Sequence, residues 1–284
     1  MLRNIMKYLR FIKFSHTIFA LPFALIGFFL AVEQYGFRWD IFVYIILCMV
    51  FARSAAMGFN RFLDKDIDAK NPRTADREIP KGEIDARSAI IFVIINSLLF
   101  ICCTYLINEL VFYLSFVALA VVLGYSYTKR FTPLSHLILG LGLSLAPIGA
   151  YLSVSGRFSL LPILFSVIVL FWVSGFDIIY SLMDYDFDKE NNLKSIPVLL
   201  GKKGALIFSF LLHFFAAVIV IYIGVFFHFS VVYWIGGLLF IVLLFYQHSI
   251  VRADDLSRVN FAFFNLNGYA SVLYAIFTIW EVLR

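Results

Sequence analysis

The chain has 284 residues, of which 62% are hydrophobic and only 14% charged, with a formal net charge of +5. So much hydrocarbon excludes an ordinary soluble domain and defines an integral membrane protein. The basic excess sits in loops between apolar runs, so it is a topology signal and not a sign of nucleic-acid binding.

A spanning helix needs roughly 20 apolar residues, and the chain divides into about nine such runs. In order they are 14–32, 41–60, 88–107, 110–127, 134–153, 160–181, 205–227, 230–249 and 260–280. The basic N-terminus followed by an apolar run superficially resembles a signal peptide. The run is long enough to span, carries no small-residue cleavage site and is followed by more spans, so it is expected to be the first helix. The fold predicted is an all-α bundle of about nine transmembrane helices in one domain, 1–284.

Charge placement orients it. With the N-terminus inside, inner segments hold Arg3, Lys7, Arg10 and Lys13, seven basic residues from Arg61 to Arg87, Lys129 and Arg130, Lys189, Lys194, Lys202 and Lys203, and Arg252 and Arg258. Only Arg38, Arg157 and Arg284 fall outside, and Arg53 lies within the second span. The positive-inside rule then gives N-in, C-out. Outer connections are short, whereas the two long ones, about 61–87 and 182–204, are both inner, where long loops carry function.

Each long loop follows an acidic cluster. Asp64-Lys-Asp66-Ile-Asp68 ends the second span, and Asp184-Tyr-Asp186-Phe-Asp188 ends the sixth. An offset of four spans leaves both copies in one orientation. A parallel four-helix internal repeat is therefore expected, with the ninth span added. On a helix, i and i+4 share a face, so Asp64 can converge with Asp68, and Asp184 with Asp188. Asp66 and Asp186 project elsewhere if the helix continues and join only if it unwinds. Carboxylates without His or Cys suit a hard cation, and Mg²⁺ bridges a few carboxylates to phosphate oxygens. The implied ligand is a diphosphate held by Mg²⁺ at the inner mouth of the bundle.

Asn60, Arg61 and Tyr180 flank the clusters and can complete coordination or donate to diphosphate oxygens. Lys129 and Arg130 add cations on the same side, unless they serve topology alone. Arg73 and Arg77 read as a solvated basic loop, and the same plain reading is open for Arg61. Arg53 shares a face with Asn60 and needs an anion, either a substrate or Asp177. Cys48, Cys102 and Cys103 read as small buried hydrophobes. The five histidines, at 16, 136, 213, 228 and 248, show no ligand spacing, with His16 kept in reserve beside Lys13, Ser15 and Thr17.

These residues resemble the UbiA superfamily of intramembrane aromatic prenyltransferases along essentially the whole chain. Its first motif is Asn with Asp at +4 and +8, here Asn60, Asp64 and Asp68. Its second is an Asp pair four apart after Tyr, here Tyr180, Asp184 and Asp188. Arg73 to Gly82 and Ser195-Ile196-Pro197 look like the loops after each motif. The likeness is best to the 4-hydroxybenzoate polyprenyltransferase type, through Lys13 to Thr17, Arg53-Ser-Ala-Ala and Tyr125 to Arg130. Arg61 departs from it, standing where many members carry Asp, as in relatives thought to prenylate 1,4-dihydroxy-6-naphthoate.

The resemblance implies two Mg²⁺ between the aspartates, a polyprenyl diphosphate donor, a small aromatic acid acceptor and a place in respiratory quinone biosynthesis. It also implies a bacterial inner membrane with the site facing the cytoplasm. A cation-coupled transporter is the competing class, but its acids lie near mid-membrane on broken helices. A CDP-alcohol phosphotransferase would need a glycine-punctuated motif that is absent.

Overall fold

The computed structural model describes residues 2–13 and 19–284, with side chains from Lys7 onward. Phe14 to Ile18, including His16, lie outside the described residues. Among the described residues all regular structure is helical. Eight helices are long and apolar enough to cross a membrane, and one shorter apolar helix accompanies them. That agrees with the expected all-α membrane bundle of about nine spans.

The chain falls into two compact units, one of Met1–Thr17 and Asp40–Tyr127, the other of Ile18–Trp39 and Thr128–Arg284. The first holds α1 (Leu2–Phe11), α3 (Trp39–Leu63, from Asp40 on), α4 (Lys65–Asp68), α5 (Ala86–Ile107) and α6 (Glu109–Thr128). Its packing at the motif end centres on Phe11, Ile12, Ile84 and Ala89, against Tyr8, Met57, Phe62, Ile79 and Phe92. Gly58 lets α3 come close there, because a Cβ would stand 3.0 Å from Val93.

The second unit holds α2 (Leu21–Tyr35), α7 (Ser135–Ser155), α8 (Leu160–Ser181), α9 (Tyr185–Glu190), α10 (Ile196–Phe226), α11 (Val231–Ile250) and α12 (Asn267–Leu283). Helices α2, α7, α8, α10, α11 and α12 each touch the next, and α12 touches α2, so they form a closed ring. Its core is aromatic, with Phe23, Phe165, Trp172, Tyr233, Phe240 and Tyr274 fully buried. Both units are apolar outside as well: Leu98 and Val117 in the first, and Ile207 and Leu238 in the second, are 60–62% exposed, which is stable against hydrocarbon and not against water.

Several polar groups inside this ring pair with one another, which offsets the cost of burying them. The Trp172 indole donates to Asn267 Oδ1 at 2.8 Å, and the Tyr233 and Tyr274 hydroxyls meet at 2.7 Å. A π-turn at Phe261–Leu266 precedes α12, and Asn267 Nδ2 donates to the carbonyls of Ala262 and Phe263 that this turn loosens.

The sixth expected span, 160–181, coincides with α8, and most others agree to within three residues. Two differ more. The first apolar helix starts at Leu21, with Pro22 setting its first turn. The seventh starts early, at Ile196, because Ser195 caps a short turn and Gly201, at φ +70°, kinks it into the main helix. Cys102 is exposed, contrary to expectation, while Cys103 is buried.

Gly27 is where α2 meets α7 most tightly. A Cβ there would lie 1.9 Å from the Pro147 carbonyl oxygen, a backbone atom. Gly27→Ala is therefore expected to destabilise the detergent-solubilised protein by about 1–3 kcal/mol in thermal unfolding. Gly149→Ala, with nothing within 4 Å, should cost nothing.

Candidate active site

The first acidic motif begins where α3 stops. Asp64 leaves the helical region at φ −90°, ψ 2°, in the sparsely populated bridge region, and α4 follows. The ladder survives this break: the Asp64 N–H donates to the Asn60 carbonyl at 2.9 Å, and the Asp68 N–H to the Asp64 carbonyl at 2.7 Å. The i, i+4 relation therefore holds, and Asp64 and Asp68 are buried at 1% and 4% exposure. Asn60 Nδ2 donates to Asp64 Oδ2 at 3.1 Å. Asp66 points out, beside Lys65 at 3.5 Å.

Cations gather around this pair within the same unit. Arg77 Nη1 lies 2.8 Å from both carboxylate oxygens of Asp68. The Thr74 hydroxyl donates to the Asp68 carbonyl at 3.1 Å, fixing the loop that presents Arg77. Arg61 is buried 3.7 Å from Glu78, yet Arg61 Nη1 and Glu78 Oε2 each lack a hydrogen-bond partner. Partial desolvation, and then the Arg61, Arg77 and Arg73 charges, lower the Lys13 ammonium from its ordinary value. Arg53 Nη2 donates to the Lys13 carbonyl at 3.1 Å, and its Nε is buried without a partner.

The second motif repeats the break. α8 tightens into one 3₁₀ turn, Leu182–Asp184, and Asp184 sits at φ −100°, ψ 3° before α9. Within this unit the Ser195 hydroxyl hydrogen-bonds Asp188, and the charges of Asp184, Lys129 and His136 act on it. The Lys194 N–H donates to the Lys129 carbonyl at 2.9 Å, and Lys194 Nζ to the Phe131 carbonyl at 3.1 Å, tying the loop after α6 to the loop after α9. Arg130 is half-buried in that first loop. Asp186 points out and pairs with Lys202 at 3.4 Å. Tyr180 stacks on Phe263 of the π-turn, with ring centroids 4.1 Å apart.

The donors suit a hard cation. Asp64, Asp68 and Asn60 offer oxygen ligands alone, and Asp184 with Asp188 offers a second carboxylate pair. Among the described residues no three His, Cys, Asp or Glu side chains form a ready cage. Mg²⁺ takes one or two carboxylates and fills its shell with phosphate oxygens and water, which carboxylate pairs of this kind allow.

Several expectations need correction. Arg77 is not a solvated loop residue, and Arg61 is buried. Arg53 and Asp177 each have another partner, Lys13 for the first and His136, at 2.7 Å, for the second. Nor are the histidines all isolated, since His213 Nδ1 and His248 Nε2 meet at 2.8 Å. Sequence reading gave no site role to Glu78, Ser195, Phe263 or His136. The proximity of His136 to Lys129 and Arg130 in the chain was the one available hint.

Fold and site together define a helical membrane protein with an aspartate pair at the broken end of each of two helices. The profile of the UbiA prenyltransferase family matches residues 20–269, and the chain belongs to that family. The apo structure of a UbiA homolog from Aeropyrum pernix K1 is similar at TM-score 0.84 and 34% identity, covering 94% of this chain and 98% of the other. A UbiA homolog from Archaeoglobus fulgidus bound to GPP and Mg²⁺ shares the fold at TM-score 0.77 and 21% identity, over 98% and 100% of the two chains. The 4-hydroxybenzoate octaprenyltransferase of Vibrio parahaemolyticus serotype O3:K6 is 28% identical over 238 residues, 84% of this chain and 83% of the relative.

The Asp68–Arg77 contact makes a prediction about stability. Arg77→Gln leaves a buried carboxylate without its cation and should cost about 1–3 kcal/mol in metal-free thermal unfolding. Adding Asp68→Asn should recover much of that loss. A double variant no more stable than Arg77→Gln would show that the pair is not coupled.

Proposed function

We propose that this protein transfers a polyprenyl group from polyprenyl diphosphate to a small aromatic acid, 4-hydroxybenzoate or a close analogue, in respiratory quinone biosynthesis. The observation that carries this reading is the repeated helix break, which sets two carboxylates one turn apart at Asp64/Asp68 and again at Asp184/Asp188. Family membership, the named activity of the Vibrio relative and the GPP and Mg²⁺ bound to the Archaeoglobus homolog agree with it.

In this reading the four aspartates and Asn60 hold the metal. When bound, Mg²⁺ supplies Lewis-acid neutralisation of the diphosphate as it leaves. Arg61, Lys129, Arg130 and Tyr180 donate to diphosphate oxygens, the two lysine and arginine loops acting as fixed charge. Arg77 exchanges Asp68 for an anionic oxygen of the donor. Arg53, half-buried with its Nε unpartnered, anchors the acceptor carboxylate. Apolar surroundings exclude water from the allylic cation.

The activity is assigned to the whole chain, 1–284, as one domain. Nineteen inner basic residues against three outer ones support N-in, C-out, with the acidic motifs facing the cytoplasm of a bacterial inner membrane. The same backbone departure at Asp64 and Asp184 supports a parallel repeat. A second acceptor, 1,4-dihydroxy-6-naphthoate, is favoured by one feature, the buried Arg61 with its unpartnered Nη1.

Purified protein in liposomes, given labelled polyprenyl diphosphate and a panel of hydroxybenzoate and naphthoate acids, should release diphosphate and prenylated acid in equal amounts. Chelating Mg²⁺ should abolish both products. Asp64→Ala and Asp184→Ala should each lower kcat about 100-fold or more, and full activity in either would remove the metal-site reading. Arg53→Ala should raise acceptor KM about 10-fold or more with donor KM unchanged. An unchanged acceptor KM would rule out the anchoring role.

A further inference from the structure

One pair of groups in the second unit is not used by the diphosphate chemistry. His136, in the first turn of α7, is buried at 5% exposure, and its Nδ1 lies 2.7 Å from Asp177 Oδ2 on α8. Its Nε2 is buried as well and has no hydrogen-bond partner. A buried imidazole nitrogen with nothing to bond is costly unless a ligand meets it. The carboxylate fixes which nitrogen is free. Asp177 can only accept, so a neutral ring carries its proton on Nδ1 and a lone pair on the unpartnered Nε2.

The pair also stands in the right place. Asp177 precedes Tyr180 by one turn and Asp184 by two, on one face of α8 and about 10 Å deeper along its axis. His136 is near enough to the second motif for its charge to act on Asp188. Asp177 is itself 22% exposed, so the pair borders open space and is not sealed in the core. On α7, Gly140 comes one turn after His136, and a Cβ there would stand 2.2 Å from the Ser174 hydroxyl. The close approach of the two helices at Gly140 sets the short His136–Asp177 distance.

We propose that His136, positioned by Asp177, is the base that takes the ring proton of the aromatic acceptor. The inference rests on the prenyl-transfer reading above and adds a catalytic residue to it. The allylic C–O bond breaks and its electron pair leaves with diphosphate. A ring π pair forms the new C–C bond, leaving a cationic ring. The C–H pair at that carbon then returns to the ring as the proton passes to His136 Nε2. The imidazolium so formed is stabilised by Asp177 and later gives its proton to water. The product set is prenylated acid, diphosphate and one proton.

The test uses full-length protein in liposomes, with the acceptor either unlabelled or deuterated at the ring position that is alkylated. His136→Ala should lower kcat about 100-fold while donor KM stays within a factor of about two. Ring deuteration, with little effect in the wild type, should then slow the variant as proton removal becomes limiting, and added imidazole should restore part of the rate. Asp177→Asn can donate to Nδ1 and so turn the ring proton onto Nε2, and it should fail like His136→Ala without imidazole rescue. His136→Gln, close in shape, guards against a folding defect, since thermal unfolding near that of the wild type with the same kinetic loss supports the base role. Near-wild-type turnover in His136→Gln or His136→Ala, or a loss with no isotope effect and no rescue, overturns it. Absence of prenylated acid from the wild type itself would overturn the proposed function along with it.

Discussion

A polypeptide in hydrocarbon cannot leave backbone groups unpaired, and the architecture of this protein follows from that constraint. Its helices run unbroken through their apolar stretches and depart from regularity at a few places only. Each departure is compensated locally. At Asp64 the carbonyl still accepts from Asp68. At the π-turn, Asn267 takes up the carbonyls of Ala262 and Phe263. At Gly201 the left-handed conformation is one glycine adopts without strain. Three of the irregular points adjoin the candidate site: two fall on Asp64 and Asp184, and the π-turn holds Phe263 against Tyr180.

Acid beside a bilayer imposes the second condition. Burying a carboxylate to 4% exposure costs hydration that a cation or donor must offset, and Asp68 has Arg77 while Asp64 has Asn60. The outward aspartates, Asp66 and Asp186, have only loose lysine partners and face solvent. Burial thus separates, within each triplet, the two acids suited to binding from the one that is not.

The span positions and the aspartate spacing were legible in the sequence because each rests on a periodicity or a length. Twenty apolar residues are a helix whatever surrounds them, and i, i+4 carboxylates meet on any helix that keeps its register. What could not be read depends on partners brought together by the fold. Arg77 reaches Asp68 only because Asn71 and Thr74 shape the intervening loop. His136 and Asp177 are 41 residues apart and are joined by the close approach of α7 and α8. The π-turn leaves no mark in hydropathy at all, since its residues are as apolar as their neighbours. For Arg53 the sequence demanded an anion, but the partner in the fold is a backbone carbonyl, that of Lys13, which no sequence pattern marks in advance.

The two motifs share their carboxylate geometry and differ in what surrounds it. Around the first, Lys13, Arg61, Arg73 and Arg77 put more positive charge than its two buried aspartates and Glu78 can neutralise. Under the proposed function such an excess favours a polyanion over a lone cation, because a metal held by Asp68 would have to displace Arg77 against the field of its neighbours. A metal arriving with diphosphate brings an anion that the displaced guanidinium can hold instead. The second motif adjoins a histidine–carboxylate pair whose Nε2 is buried without a hydrogen-bond partner. Under the proposed function this asymmetry divides the work. Charge at the first motif favours departure of the diphosphate, and the surroundings of the second handle the proton that the new bond sets free.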